Sequence, residues 1–323
     1  MLNSDNRSSF LQMIKQFADS IIENVSKVII GKEDVIRLAL VALLAEGHVL
    51  FEDVPGIGKT TLSKALARTL GCAFSRIQFT PDLLPSDVTG IYWYNQKKQA
   101  FEFRPGPIMG QIILADEINR ATPRTQSSLL EAMQERQITV DRDTYPLPQP
   151  FLVLATQNPI ELEGTFPLPE AQIDRFLLKT RLGYPTAEQE DDLLLRYARQ
   201  NPMTELEAVT SPEEIVRMQQ AVRAVRMDDQ VRGYLVQVVR ATRDHPAVDL
   251  GVSPRGSLAL YRASQAWAAV QGRDFVLPDD IKSLTPAVLT HRIHISPQTR
   301  LRGRTSEEVI SEVVTQVPAP VFQ

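Results

Sequence analysis

The chain has 323 residues, 43% hydrophobic and 23% charged, with a formal net charge of −4. This is a globular composition long enough for two domains, and it lacks the strong basic excess of a dedicated nucleic-acid binder. The single cysteine, Cys72, excludes an internal disulfide framework. The longest apolar run, residues 38–44, falls far short of the roughly 20 residues needed to cross a bilayer. The polar opening MLNSDNRSSF has no apolar segment of a secretory signal, so a cytoplasmic protein without membrane insertion is expected.

Phe10, Ile14, Phe17, Ile21 and Ile22 recur on one face and predict a helix over residues 8–26, with a second over 33–46. HVLFED (48–53) reads as a short apolar strand, followed by a glycine loop and a helix over 59–70. Further strands are expected at 74–79, 111–115, 151–156 and 176–180, separated by helical stretches, notably 123–135. Strands alternating with helices predict an α/β fold whose parallel sheet is covered on both faces. Two β-hairpins interrupt the alternation, at 90–106 and 136–150. Beyond RLGYPTAEQE (181–190) the strand signal ends and helices run to about residue 316. The boundary falls near Gly183, where Pro185 punctuates the chain, giving an α/β core over 1–183 and a helical domain over 184–323.

The loop DVPGIGKTT (53–61) follows a strand and opens a helix, the context of a phosphate-binding loop, although Asp53 stands where the usual pattern has glycine. Backbone N–H groups of Gly56, Ile57, Gly58 and Lys59 would face the phosphates at the positive end of the helix. The Lys59 ammonium would reach the terminal phosphates and the Thr60 hydroxyl would bind Mg²⁺. IILADE (112–117) ends an apolar strand in two acids, Asp116 for the metal and Glu117 to polarise water. LATQNP (154–159) brings Asn158 to the end of the next strand, to hold that water or the γ-phosphate. Together these parts predict nucleoside triphosphate hydrolysis at the carboxyl ends of the strands. His291 and His294, at i and i+3, are weak metal candidates because no carboxylate or thiol stands beside them in sequence.

DVPGIGKTT, LADEINRATPRTQSSLLEAMQE, ATQNP, PLPEAQIDRFLLK and GVSPRGSLALYRASQAWA resemble, in this order, the MoxR family of AAA+ ATPases over about residues 25–295. The resemblance implies a P-loop AAA+ core with a five-stranded parallel sheet and two β-hairpin inserts, followed by a small α-helical lid. It implies ATP and Mg²⁺ as ligands, a hexameric ring of copies, and a protein client, commonly through a partner bearing a von Willebrand factor A domain. By position it assigns Pro55, Gly56, Ile57, Gly58, Lys59, Thr60 and Thr61 to the nucleotide, Thr60 and Asp116 to the metal, and Val28, Ile29, Ile30 and Gly31 to adenine. Glu117 becomes the water-activating acid, Asn158 sensor 1, Arg175 the arginine finger that reaches a neighbour's ATP, and Arg255 sensor 2. The sequence adds its own reason for Arg255. Ser253 reads as an N-cap and Pro254 as the first helical residue, so Arg255 opposes the helix dipole, a placement that a bound phosphate would justify.

Three kinds of work are open to such an ATPase: remodelling a protein, translocating nucleic acid, or gating a scaffold by nucleotide. The second hairpin tip, Asp141-Arg142-Asp143, carries a net charge of −1, poor for tracking phosphates. Lys97 and Lys98 beside Tyr92, Trp93 and Tyr94 on the first hairpin offer the opposite pattern, a basic and aromatic surface. Protein remodelling is the favoured expectation, with nucleic acid disfavoured and every catalytic part speaking against an inert scaffold.

Overall fold

The computed structural model describes residues 4–159 and 164–320, with side chains described except those of residues 4–11 and Arg199. Two helices open the chain, α1 (Ser4–Ser26) and α2 (Glu33–Leu44). Ile14, Phe17, Ile21 and Ile22 are all buried, whereas the Phe10 side chain lies outside the described set. The core continues through β1 (Val49–Glu52), α3 (Lys59–Thr69), β2 (Phe74–Gln78) and α4 (Pro85–Thr89). The first hairpin follows, β3 (Gly90–Asn95) with β4 (Ala100–Pro105), and then β5 (Ile112–Asp116) and α5 (Pro123–Glu135). The second hairpin, β6 (Gln137–Val140) with β7 (Asp143–Pro146), leads to β8 (Leu152–Gln157), the single turn α6 (Glu170–Ile173) and β9 (Leu178–Thr180).

Five strands form one parallel sheet in the order β2-β5-β8-β1-β9. Its strands divide their side chains by period two, as a pleated sheet covered on both faces must. Val49, Phe51, Ile112, Leu152 and Leu154 enter one core with α1, α2 and α3. Leu50, Ile113, Ala115, Val153 and Ala155 enter the other, beneath α5 and the hairpins. Buried His48 ties the sheet together at the base of β1. Val153 N–H donates to its Nδ1 at 3.0 Å, which leaves Nε2 to donate to the Met133 carbonyl at 3.2 Å. Burial first, and Arg136 second, push its pKa well below the usual imidazole value.

The remaining chain is helical: α7 (Ala187–Arg199), α8 (Pro212–Val222), α9 (Asp229–Asp244), α10 (Pro254–Val270), α11 (Pro278–Leu289), α12 (Pro297–Leu301) and α13 (Ser306–Gln316). Local chemistry explains the starts. Thr186, Ser211 and Thr305 each close a capping box with the residue three positions on, Gln189, Glu214 and Glu308. The expectation of an all-helical second half needs one correction. Two short strands, β10 (Val248–Leu250) and β11 (His294–Ile295), pair antiparallel across α10 and α11. Three and two residues are too few to show alternation in sequence. The apolar core of these helices is continuous with that of α1 and α2, so the helical half packs on the N-terminal helices and, through α11, on β9.

The two hairpins stand side by side and are joined. The Tyr92 hydroxyl donates to the Asp143 carboxylate and lies 2.5 Å from the Tyr145 hydroxyl. The Phe103 and Tyr145 rings stack at 4.2 Å between centroids. Asp143 thus opens β7 as an exposed, charged residue with a partner on the other hairpin, so the net charge of −1 over Asp141-Arg142-Asp143 stands. The basic and aromatic pattern of the first hairpin is weaker than in sequence, because Lys98 pairs with Glu102 at 2.6 Å and Tyr92 is engaged between the hairpins.

Candidate active site

The sheet register sets the site. Asp116 at the end of β5 pairs with Gln78, and Glu52 at the end of β1 pairs with Gln157. The carboxyl ends of β1, β5 and β8 thus meet at one rim, the side on which open α/β sheets bind ligands. A cavity of about 350 Å³ opens there, lined by Pro55, Gly56, Gly58, Lys59, Thr60, Thr61, Asp116, Glu117 and Asn158 among others. The glycine loop turns on positive φ at Gly56 (86°) and Gly58 (95°), and a Cβ at either would meet nothing within 4 Å. Conformation, not crowding, requires glycine at both positions.

Lys59 is the first residue of α3, and its ammonium donates back to the carbonyls of Asp53 and Val54 at 2.9 and 2.8 Å. Burial lowers its pKa, while Asp53, Asp116 and Glu117 work against that shift. Asp116 is held from two sides, by the Thr156 hydroxyl at 2.7 Å and by Arg76 at 2.7 Å. Glu117 sits in the left-handed region at φ 57° and its N–H donates to Thr156 Oγ1 at 2.8 Å. Its Oε2 accepts from Gln78 at 2.9 Å and from Arg120 at 3.1 Å. One threonine therefore spaces both acids, a role that sequence reading missed, as it missed Arg76, Gln78 and Arg120. The signal was available: Arg76 and Gln78 are polar at i and i+2 on a strand whose neighbour ends in the two acids.

Asp53 does something specific in place of the missing glycine. Its carboxylate is buried and accepts the backbone N–H of Leu182 at 2.6 Å and of Gly183 at 3.3 Å. Beside it, Glu52 pairs with Lys179 at 2.8 Å and Arg181 at 3.2 Å. Burial opposes the Glu52 charge, but those two cations more than offset it and its pKa lies below the usual carboxylate value. The strand end that launches the phosphate loop thus also fastens the chain where it leaves the sheet for α7. The segment before β1 meets the same crossing. Gly31 (φ 66°) lies against Gln189, whose side chain fills the space a Cβ would need, and Lys32 donates to the Tyr184 carbonyl at 3.0 Å. Val28 and Ile29 are buried in the core and Ile30 is half-buried. None of these, nor Ile57, lines the phosphate cavity.

Arg175 and Arg255 also stand away from that cavity, and they stand together. Both line a second hollow of about 790 Å³ with Arg136, Arg223, Arg262 and Arg292, against only Glu46 and Asp174 as acids. Six guanidinium groups against two carboxylates give this hollow an excess of positive charge. Ser253 does precede the first turn of α10, yet its hydroxyl caps no N–H and instead donates to Asp174 at 3.3 Å. His291 is buried next to Arg292, and burial first holds its pKa well below the ordinary value. Its Nε2 lies 3.2 Å from the Phe176 carbonyl. His294 pairs instead with Glu170 at 2.6 Å, and among the described residues no group of three His, Cys, Asp or Glu side chains could hold a metal.

A parallel sheet in this order, a phosphate loop, paired acids at the neighbouring strand end and a following helical lid define a P-loop ATPase of the AAA+ class. The model of the ATPase family associated with various cellular activities (AAA) matches residues 48–178, and that of the AAA lid domain matches residues 240–313. The chain is 53% identical to the uncharacterized protein YeaC of Bacillus subtilis, over 93% of this chain and 94% of that one. It is 41% identical to Chaperone MoxR1 of Mycobacterium tuberculosis, over 93% and 81% of the two chains. A solved structure from Cytophaga hutchinsonii, carrying a provisional ATPase assignment, superposes with a TM-score of 0.91 at 37% identity, covering 98% of each chain. The chain belongs to the MoxR family of AAA+ ATPases.

Proposed function

We propose that this ATPase is Mg²⁺-dependent, works in the cytoplasm as a hexameric ring with active sites between subunits, and uses turnover to remodel a protein client. One observation carries the ring: the hydrolytic parts are divided between two cavities of a single chain. Lys59, Asp116, Glu117 and Asn158 share the first, while Arg175 and Arg255 share the second. A chain that keeps its phosphate loop in one place and its arginines in another completes a site when a second copy presents its arginines to the loop. The core over 1–183 then supplies the first cavity, and the lid over 184–323 supplies Arg255.

In this reading the loop N–H groups of residues 56–59 and the Lys59 ammonium hold the phosphates, and Ile30 and Gly31, with Val28 and Ile29 behind them, form the adenine side. Thr60 and Asp116 offer the hard oxygen donors that Mg²⁺ takes beside phosphate oxygens, so the residues present fit the ion. Bound there, the ion would neutralise charge on the β- and γ-phosphates. Glu117 accepts the proton of the attacking water, and Asn158 orients it. Arg175 from the neighbour stabilises the charge of the transferring phosphoryl group, worth ~10³–10⁵ in rate for fingers supplied in trans. Arg255 from the same neighbour adds a second cation.

The protein client follows from the hairpins and from kinship with a protein named as a chaperone. Trp93, Tyr94 and Phe101 are 44%, 48% and 70% exposed on the first hairpin. With Lys98 paired to Glu102, Lys97 is the lysine left at the tip beside this aromatic surface, which suits an apolar protein segment better than a phosphate backbone. A partner with a von Willebrand factor A domain is the expected adaptor. Mixing two inactive variants, Arg175→Ala and Lys59→Ala, tests the ring. In randomly mixed rings about one interface in four joins an intact loop to an intact finger, and activity returns in proportion. No recovery across mixing ratios, with mixed rings verified by mass, would refute shared sites. DNA and RNA are expected to leave the rate unchanged; stimulation that fades with salt would move the work to nucleic acid.

A further inference from the structure

Asp174 and Arg292 line the second cavity, and neither has been given a role in the reaction. Arg292 enters from the turn after α11, and its side chain is 2% exposed. Its Nε donates to Asp174 Oδ1 at 2.7 Å, and its Nη2 to the carbonyls of Asp174 and Phe176 at 3.2 and 2.5 Å. Its Nη1 reaches the Leu177 carbonyl at 3.2 Å. A single guanidinium thus holds the Asp174 carboxylate and three carbonyls, of residues 174, 176 and 177, on either side of Arg175. The other Asp174 oxygen faces the start of α10, 3.3 Å from Ser253 Oγ and 3.8 Å from Arg255 Nη1.

The backbone N–H groups of the same stretch bind core residues: Leu177 donates to His48, and Phe176 to Ile173. The carbonyl side is satisfied from the lid. Arg175 itself has a buried Nε that finds no acceptor among the described residues. The direction of Arg175 is set by backbone that Arg292 holds, and the placement of Arg255 is tied to the carboxylate that Arg292 also holds.

We propose that Asp174 and Arg292 are positioning residues that join Arg175 and Arg255 into one unit, so that the lid, rather than the core alone, aims both arginines at the neighbouring subunit's nucleotide. This rests on the reading that Arg175 acts across a subunit interface. Lysine cannot replace Arg292, because a point cation has no planar fork with which to span Asp174 and three carbonyls. A finger displaced by about 1 Å loses on the order of 10²-fold in rate.

The test uses the full chain with Arg292→Lys and, in parallel, Asp174→Asn, each checked for ring mass and circular dichroism. Alone, each is expected to lose about 10²-fold in kcat, with KM for ATP within about threefold of the parent because its own phosphate loop is untouched. Mixed with Lys59→Ala subunits, which supply intact fingers, each is expected to regain activity to the level that Arg175→Ala regains in the same mixture. A purely structural defect would not be repaired by a neighbour. Normal kcat for both variants alone overturns the proposal, as does failure of both to recover where Arg175→Ala recovers. If Arg175→Ala itself does not recover, the shared-site reading fails first and this proposal falls with it.

Discussion

Restoring the glycine that the phosphate-loop pattern asks for is expected to damage this protein. Asp53→Gly leaves residues 54–61 as they are, so Mg·ATP should still bind. What it removes is a buried acceptor for the N–H groups of Leu182 and Gly183. A hydrogen bond to a charged group contributes about 1.5–3 kcal/mol net, and a buried donor left without a partner costs about 1–3 kcal/mol. Because Gly183 is only partly buried, water can serve its N–H, so the loss comes mainly from Leu182. Added chain entropy of glycine in the unfolded state contributes about 0.5–1 kcal/mol more. The sum is a destabilisation of about 2–4 kcal/mol. Urea unfolding read by circular dichroism measures it, and amide exchange at Leu182 and Gly183 localises it. Asp53→Asn, which keeps an acceptor and loses the charge, should fall between parent and glycine variant. Unfolding of Asp53→Gly that matches the parent, or exchange at 182–183 that is no faster, would refute this account of why aspartate stands in the loop.

Two further outcomes follow from the same geometry. Lys59→Ala should lose ATP binding, whereas Glu117→Gln should bind Mg·ATP yet release phosphate at least 10²-fold more slowly, since only the proton acceptor is gone; equilibrium binding and single-turnover rates separate the two. His48 and His291 both have depressed pKa values in the folded chain. Above the unfolded value of about 6.5 both states are neutral and stability is independent of these groups. Below it the unfolded chain takes up protons that the folded chain refuses, so stability falls by about 1.4 kcal/mol per pH unit for each histidine. Urea midpoints flat from pH 7 to 5.5 would show that neither residue is held neutral.

The sequence carried the site better than its support. Lys59, Asp116, Glu117 and Asn158 stood out in sequence because Lys59 opens the helix after a glycine loop and the other three lie at or just past strand ends, and all four line one cavity. Thr156 was hidden because a threonine at the end of an apolar strand has many ordinary explanations. Only the β5–β8 pairing shows it bridging Asp116 and Glu117. Asp53 was legible as a departure but not as a contact, since its partners lie 129 and 130 residues away. The second hairpin tip hid a contact for a related reason. Asp143 reads as a solvated tip charge, yet its exposed carboxylate also accepts from Tyr92 of the first hairpin. Local spacing reveals residues that act on a ligand; it does not reveal residues that act on one another across the fold.

Those long-range contacts share a geometry. At one end of the chain's exit from the sheet, Glu52 and Asp53 hold residues 179–183, and the Asp53 carbonyl is itself held by Lys59. At the other end, Arg292 of the lid holds residues 174–177, which carry Arg175. The stretch 174–183 is therefore gripped on one side by the strand end that leads into the glycine loop and on the other by the lid, which carries Arg255. A phosphate that draws Lys59 off the Asp53 and Val54 carbonyls acts on the first grip. Both grips lie on the same ten residues. On the proposed ring reading, these contacts within a single chain link the residues that hold Lys59 to those that carry Arg175.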